Sequence, residues 1–375
     1  MILRTVPTIL FILFLFSYNG IEGKKLSREE DLELEKQLKL MNKPAVKTIK
    51  TMHGDIYNCV DFHRQPAFDH PLLKNHTFDF KISLSSYTKK KRYELKDNST
   101  VFDPNNIWLN GKGCPIGTVP IRKITKNDFL RARLASDIYA SKLNPQSAVE
   151  TPGLHFAIIR TKVDPDKKYH GGGMSTTLHK VQVQSSQSSY ARMKIKNNAD
   201  YIEVGWMGGA SRCFNTFCPG FVHVAPDIPL DYVFPVTEPD GKIPSIKFTI
   251  DHDKFGNWYL YGSEDNRVIG YWNDGIFMEG LNKFASYIDW GGQVYGPPNS
   301  PSAPMGSSLE VRGDRKRDAF FWEVEYANET DYTSADIVEE YADVGAYRVK
   351  DAGNVGGQLG HVFFYGGPGG YTGSC

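Results

Sequence analysis

The sequence predicts a mainly β protein, an antiparallel β-sandwich of the jelly-roll or lectin-like kind preceded by a small mixed α/β segment. Beyond about residue 150, short segments alternate apolar and polar side chains with the two-residue period of half-buried strands, and clusters of Gly, Pro, Asn and Asp separate them. Before that point, one charged stretch has helical spacing and the rest is short and broken. Composition agrees, because Gly 35, Pro 21, Tyr 20 and Phe 22 weight the chain toward turns and aromatic strands. A length of 375 residues accommodates two domains. The net charge of +1 supplies no field of one sign, which excludes bulk attraction to nucleic acid or an anionic membrane.

The chain opens with Arg4, an apolar run from Ile9 to Phe16 and small residues around Gly20 and Gly23. This is the pattern of a secretory signal peptide, whose apolar core is too short to span a bilayer. Residues 1–23 are read as that signal, and no later run is apolar for long enough to span, so a secreted protein, extracellular or vacuolar, is expected. Sequons at Asn75, Asn98 and Asn328 fit that compartment. In an oxidising compartment the five cysteines should mostly pair. Cys213 and Cys218 can clip one short loop, Cys59 with Cys114 is the natural second bridge, and Cys375 is left over. No second ligand pair at matched spacing supports a zinc site, and no metal or cofactor is expected.

After the signal, Ser27-Arg-Glu-Glu30 has capping-box spacing. Leu34, Leu38 and Met41 then recur at helical intervals until Lys43-Pro44 ends the helix. The basic run Lys89 to Arg92 reads as a solvated loop or a protease-sensitive site. A polar stretch from Lys126 to about Glu150 with a short helical pattern ends at Asn144-Pro145 and Thr151-Pro152, which sets the domain boundary: 24–149, then 150–375. Strands are expected at His155–Thr161, Thr176–Val183, Ser189–Ile195, Tyr201–Trp206, Gly220–Val224, Ser245–Ile250, Trp258–Tyr261, Val268–Trp272, Tyr287–Val294, Ala319–Tyr326 and His361–Tyr365. One helical interruption is expected from Phe277 to Tyr287.

Several chemistries are absent. There is no Gly-X-Ser-X-Gly elbow, no His-Glu-X-X-His pair and no Walker-type loop. Gly171-Gly-Gly-Met-Ser-Thr176 lacks the lysine that phosphate binding needs and reads as a flexible turn; Gly366 to Gly373 reads as a terminal loop. Asp251-His252-Asp253, beside Phe255-Gly256-Asn257, reads as a hairpin turn rather than a metal site. Trp206, Trp258, Trp272 and Trp290 are expected in the core rather than stacked on sugars. Two strands stand out. In Asp200-Tyr-Ile-Glu-Val-Gly-Trp206, alternation puts Tyr201, Glu203 and Gly205 opposite an apolar face, and in Ile288-Asp-Trp-Gly-Gly-Gln-Val294 it does the same for Asp289, Gly291 and Gln293. The pair Glu203 and Gln293 can do acid–base chemistry, or can be two polar residues on a solvated face.

The chain resembles the plant neprosin family of glutamic peptidases over nearly its whole length after the signal. The N-terminal region is similar to that family's activation peptide through Glu35-Lys-Gln-Leu38, Asn42 to Lys47, Gln65-Pro-Ala-Phe-Asp-His-Pro-Leu-Leu-Lys-Asn-His76 and Gly117 to Arg122. The C-terminal region resembles its catalytic domain through Ile202-Glu-Val-Gly-Trp206, Cys213 to Cys218 with Gly220-Phe-Val222, Gly270-Tyr-Trp272, Trp290-Gly-Gly292, Met305-Gly306 and Tyr365 to Gly369. The resemblance implies a secreted, acid-active zymogen that acts on peptide or protein substrates. Its pro-segment would cover a groove on a concave sheet face, flanked by Tyr201, Tyr287 and Asp289. The family's two catalytic glutamates fall on Glu203 and on position 293, where this chain has Gln293. The loop Met207 to Arg212 is short for the family, so a preference for proline is not carried over. Ala346 stands at what resembles a cysteine position, which accounts for the orphan Cys375.

A glutamate dyad works with one shared proton, one member activating water and the other donating to the substrate carbonyl. Gln can take the second role, because its amide donates without titrating, but it supplies no proton. Eqolisins, an unrelated glutamic peptidase family on a similar sandwich, use such a Glu–Gln pair. By that analogy Glu203 activates water and returns the proton to the leaving amine, while Gln293 polarises the carbonyl. The alternative is an inactive relative that keeps the fold to bind a glycan or protein. Acid is expected to loosen the pro-segment by protonating its carboxylates and His63, His70 and His76.

Overall fold

Alternating apolar side chains need a second sheet to cover them, and this chain supplies two. The computed structural model describes residues 28–74, 99–101, 107–129, 152–162, 164–184, 186–209, 219–234, 243–262, 266–329, 331–336 and 338–371. The N-terminal segment forms helix α1 (Arg28–Met41) and strands β1 (Ala45–Lys50), β2 (Ile56–Asp61), β3 (Ser99–Val101) and β4 (Thr118–Arg122). Then come β5 (Leu154–Thr161), β6 (Gly171–Thr177), β7 (Ser188–Asn197), β8 (Asp200–Gly209), β9 (Phe221–His223), β10 (Ile243–His252), β11 (Trp258–Gly262) and β12 (Arg267–Trp272). The chain continues through β13 (Tyr287–Tyr295), β14 (Met305–Gly306), β15 (Ala319–Ala327), β16 (Tyr332–Ser334), β17 (Val338–Ala342), β18 (Arg348–Asn354) and β19 (His361–Gly367).

One sheet has five strands in the order β17-β5-β13-β7-β8. The other has eleven, running β14-β19-β15-β6-β10-β11-β12-β9, with β16 on β15, β18 on β19 and β3 beside β10. Only the β3–β10 pairing is parallel among the described strands. The fold is thus the expected antiparallel sandwich behind a small α/β segment. Between the sheets Ala157, Ile159, Met193, Ile195, Ile202, Val204, Ile288, Trp290 and Val294 pack on Met174, Ile250, Trp258, Leu260, Phe321, Val324 and Phe363. The Trp290 indole donates to Gly173 O at 3.2 Å and that of Trp258 to Leu281 O at 2.8 Å, so each buried ring keeps its polar atom satisfied. Trp206 and Trp272 are only partly buried at the margin of this core.

Five local expectations give way. The glycine run Gly171 to Gly173 is no turn but half of β6, a fully buried strand between β15 and β10. Its missing side chains make room: a Cβ on Gly172 would sit 2.8 Å from Met193 Sδ of the facing sheet. Accordingly the strand expected at Thr176–Val183 ends at Thr177. Residues 277–287 form no helix; a short 3₁₀ turn, Asp274–Ile276, precedes an irregular path in which Lys283 and Phe284 turn back on Gly280 O, while Ala285 donates to Tyr169 O and Ser286 to Lys196 O. Tertiary partners there outcompete local helical bonds. Asp251 and His252 extend β10, leaving the turn to Asp253, whose carboxylate accepts from the amides of Phe255 and Asn257. Gly366 and Gly367 belong to β19 rather than to a terminal loop.

In the N-terminal segment, β1, β2 and β4 form a three-stranded sheet, and Cys59 is disulfide-bonded to Cys114. Leu34 is the buried residue of α1. Ser27, residues 75–98 with Asn75, Asn98 and the basic run, residues 130–151, Cys213, Cys218 and Cys375 lie outside the described residues. Asn328 is exposed.

Among the described residues, the segment seats on the edge of the eleven-stranded sheet. Val60, Phe62, Ala67, Leu73, Val119 and Ile121 share a core with Val222 and Tyr271. Gln65 donates to His223 O at 3.0 Å and accepts from His223 N at 2.8 Å. The Trp108 indole donates to Asp227 O, Cys114 N to Pro226 O, and the Tyr57 hydroxyl to Leu230 O and Asp231 O. His63 is exposed, and His70 Nδ1 accepts from Leu72 N in a local turn, so neither is buried at this seat; His76 lies outside the described residues.

Two other groups there are strongly displaced. Burial pulls His223 down to about 4, and burial raises Asp231 to about 7 against the attraction of Arg122. The signs oppose. Below 6.5 an unfolded histidine takes a proton that His223 refuses until about 4, so its contribution falls as pH drops through that window, by about 3 kcal/mol in full. Asp231 keeps a proton that an unfolded aspartate loses above 3.8, so its effect favours the fold on acidification from about 7. Replacing His223 with Gln should therefore make the protein gain stability relative to wild type as pH falls from 6.5 to 4. Thermal unfolding of both proteins across that range measures the difference.

Candidate functional site

Strand register places the outward side chains of the five-stranded sheet in rows. Across β8, β7, β13, β5 and β17, one row reads Glu203, Lys194, Asp289, Arg160 and Glu339. The next reads Gly205, Arg192, Gly291, Ile158 and Tyr341, and the one after it Met207, Tyr190, Gln293 and Phe156. Glu203 and Gln293 thus share a face but stand two strands and two rows apart. A long side chain between them closes the gap.

That side chain is Arg192. Its Nε donates to Gln293 Oε1 at 3.0 Å and lies 3.5 Å from Glu203 Oε1, while Nη1 pairs with Asp289 Oδ1. Arg192 is 4% exposed and Asp289 2%, so the ion pair is buried. Burial works against the guanidinium charge, but the carboxylates of Asp289 and Glu203 outweigh it and raise Arg192 above its ordinary value. Tyr287 is also raised, first by burial and then by the charge of the Asp289 carboxylate. Lys194 Nζ lies 3.2 Å from Glu203 Oε1 and 4.2 Å from the centre of the Tyr201 ring. Two carboxylates therefore face two cations. The Glu203 side chain stays one-third exposed, and Tyr201 is open to solvent.

Glycines frame the guanidinium. Gly205 has φ +159° and Gly291 φ +140°; a Cβ would lie 2.0 Å from Ala191 O in the first case and 2.4 Å from Ala157 O in the second. Neither position admits a side chain, so the row holding Arg192 is bare on both sides. The arrangement brings together Glu203, Gln293 and Asp289, sets Tyr287 behind Asp289, and leaves Tyr201 at the rim beside Lys194. Sequence reading missed Arg192. Alternation put it on the polar face of its strand with Tyr190 and Lys194, where it looks like an ordinary solvated cation. Among the described residues, no three His, Cys, Asp or Glu side chains are grouped to hold a metal ion.

These features define an antiparallel β-sandwich protein with a carboxylate–amide site on one outer sheet face. A family model described as Neprosin matches residues 201–368, and one described as Neprosin activation peptide matches residues 48–160. The chain belongs to the neprosin family, with a neprosin activation peptide ahead of a neprosin domain. Glu203 and Gln293 lie inside the first match, Arg192 lies between the two, and the activation-peptide match runs into β5. Among solved structures, the chain is similar to the crystal structure of Scytalido-glutamic peptidase with a peptide based transition state analog. That likeness has 9% sequence identity and a TM-score of 0.30, and covers 57% of this chain and 97% of the other. No helix among the described residues is long and apolar enough to cross a membrane.

Removing one member of a buried ion pair leaves the other without compensation. Asp289→Ala should destabilise the protein by about 3–5 kcal/mol, read as a lowered midpoint in urea unfolding.

Proposed function

We propose that this protein is a secreted glutamic endopeptidase made as a zymogen, in which Glu203 activates water and Gln293 stabilises the oxyanion. In this reading residues 1–23 are the signal, 24–149 the activation peptide and 150–375 the catalytic-type domain. The observation that carries it is the convergence of Glu203 and Gln293 on one atom, Arg192 Nε, on a partly open sheet face. A peptide laid over the bare row of Gly205 and Gly291 reaches both groups. Ionised Glu203 takes a proton from water as the hydroxide attacks the scissile carbonyl. The developing oxyanion accepts from the Gln293 amide, and Glu203 returns its proton to the leaving amine. One residue of the pair titrates and the other supplies a fixed donor, so no shared proton is required.

A second reading rests on Tyr201, which is 54% exposed beside Lys194. Such an aromatic–cation rim suits a binding module for a glycan or protein. That reading expects no turnover from any variant and saturable capture that Tyr201→Ala weakens.

Purified full-length protein, incubated across pH to allow maturation and then given a denatured protein, should cleave it. Glu203→Gln should abolish cleavage with its unfolding transition retained. Cleavage by the Glu203→Gln protein would overturn the assignment, and so would inactivity of the wild type at every pH.

A further inference from the structure

The role of Gln293 depends on which end of its amide meets a substrate, and the neighbouring side chain decides this. Arginine carries five N–H donors and no acceptor. Whatever Gln293 atom lies 3.0 Å from Arg192 Nε must therefore be the oxygen, and the NH₂ group is turned away from the guanidinium. The reverse orientation would set N–H against N–H and leave a buried donor unpaired. A single Nε–H cannot serve two acceptors equally. At 3.0 Å it belongs to Gln293, while Glu203, at 3.5 Å from Arg192, has the shorter approach to Lys194 at 3.2 Å.

Arg192 has no freedom of its own. Asp289, itself buried, takes Nη1, and Tyr287 stands in the adjacent row of β13. Gly205 and Gly291 flank it on both neighbouring strands and have no side chain to displace it. The chain of contacts runs from Asp289 to Arg192 to Gln293, and each link fixes the next.

We infer that Arg192, held by Asp289, is a positioning residue that locks the amide of Gln293 with its NH₂ toward the substrate carbonyl. This rests on the peptidase reading for its effect on turnover but not for the lock itself. The conservative change Arg192→Lys keeps a cation beside Asp289 but loses the planar fork, so it cannot hold both Asp289 and the Gln293 oxygen.

The test is a double-mutant cycle on the full-length protein, with kcat and KM measured on a quenched peptide pool. Arg192→Lys should lower kcat about 10- to 100-fold with little change in KM, as for a weakened oxyanion donor. Gln293→Met should cost about 100-fold or more, and the double variant no more than Gln293→Met alone. Additive losses, or an Arg192→Lys protein with unchanged kcat, would overturn the inference. Should Arg192→Lys fail to fold, Arg192→Met with Asp289→Leu removes both buried charges together and enters the same cycle.

A second readout needs no turnover. In ¹⁵N-labelled, deuterated protein, the Gln293 NH₂ signal is identified by its loss in Gln293→Met. It should show no strong cross-relaxation with the Arg192 Nε proton, and it should become conformationally averaged in Arg192→Lys. A strong cross-peak in the wild type would overturn the lock. A lock seen by this readout in a protein that cleaves nothing would instead leave the inference standing and remove the peptidase reading.

Discussion

An arginine, Arg192, only 4% exposed to solvent sets the terms for everything around it on the five-stranded sheet. Its charge has left water and must be met by a carboxylate and by acceptors for its remaining N–H groups. Asp289 supplies the buried anion, Gln293 one acceptor, and Glu203 a second negative charge at the edge. Around that cation, side chains on three strands lose their independence. Arg192 therefore links the two residues whose strands, β8 and β13, never pair with each other.

The sandwich beneath supplies rigidity for this network. Trp290 lies between Asp289 and Gly291 in sequence and points the other way, into the core, where its indole is anchored on Gly173 O of the facing sheet. Burying the inward residues of β13 thus fixes the height and register of the outward ones. The glycines of β6 belong to the same mechanism, since a Cβ at Gly172 would press on the Met193 thioether that β7 sends into the core. Core packing and site geometry are coupled through strands whose two faces serve the two purposes.

The activation segment is tied to the β9–β12 edge of the eleven-stranded sheet as far as the described residues go. Its shared core with Val222 and Tyr271, and the two-way bond between Gln65 and the His223 backbone, make it part of the fold of the eleven-stranded sheet. His223 and Asp231 respond to acid in opposite directions, so protonation at this seat offsets itself in large part. His63 and His70, expected from sequence to sense acid, are not buried. The histidines that burial displaces most, such as His223, owe it to tertiary packing that no local pattern records.

Alternation, turn residues and aromatic weighting were enough to place most strands of the sandwich, because burial of one face imposes a two-residue period on any half-covered strand. The same alternation set Glu203 and Gln293 on polar faces, and the motifs around them carried the family. Local pattern failed where long-range partners override it. The glycines of β6 look like a turn because a missing side chain reads as flexibility, yet in the fold it reads as close contact. Residues 277–287 look helical, yet the amides of Glu279, Ala285 and Ser286 bond to segments far away in sequence. Arg192 is the clearest case. In sequence it is one cation among several on an alternating strand, and its burial, its Asp289 partner and its hold on Gln293 exist only once β7 is laid between β8 and β13. The sequence determined which residues face outward; only strand order, which brings distant segments side by side, decided which of them touch.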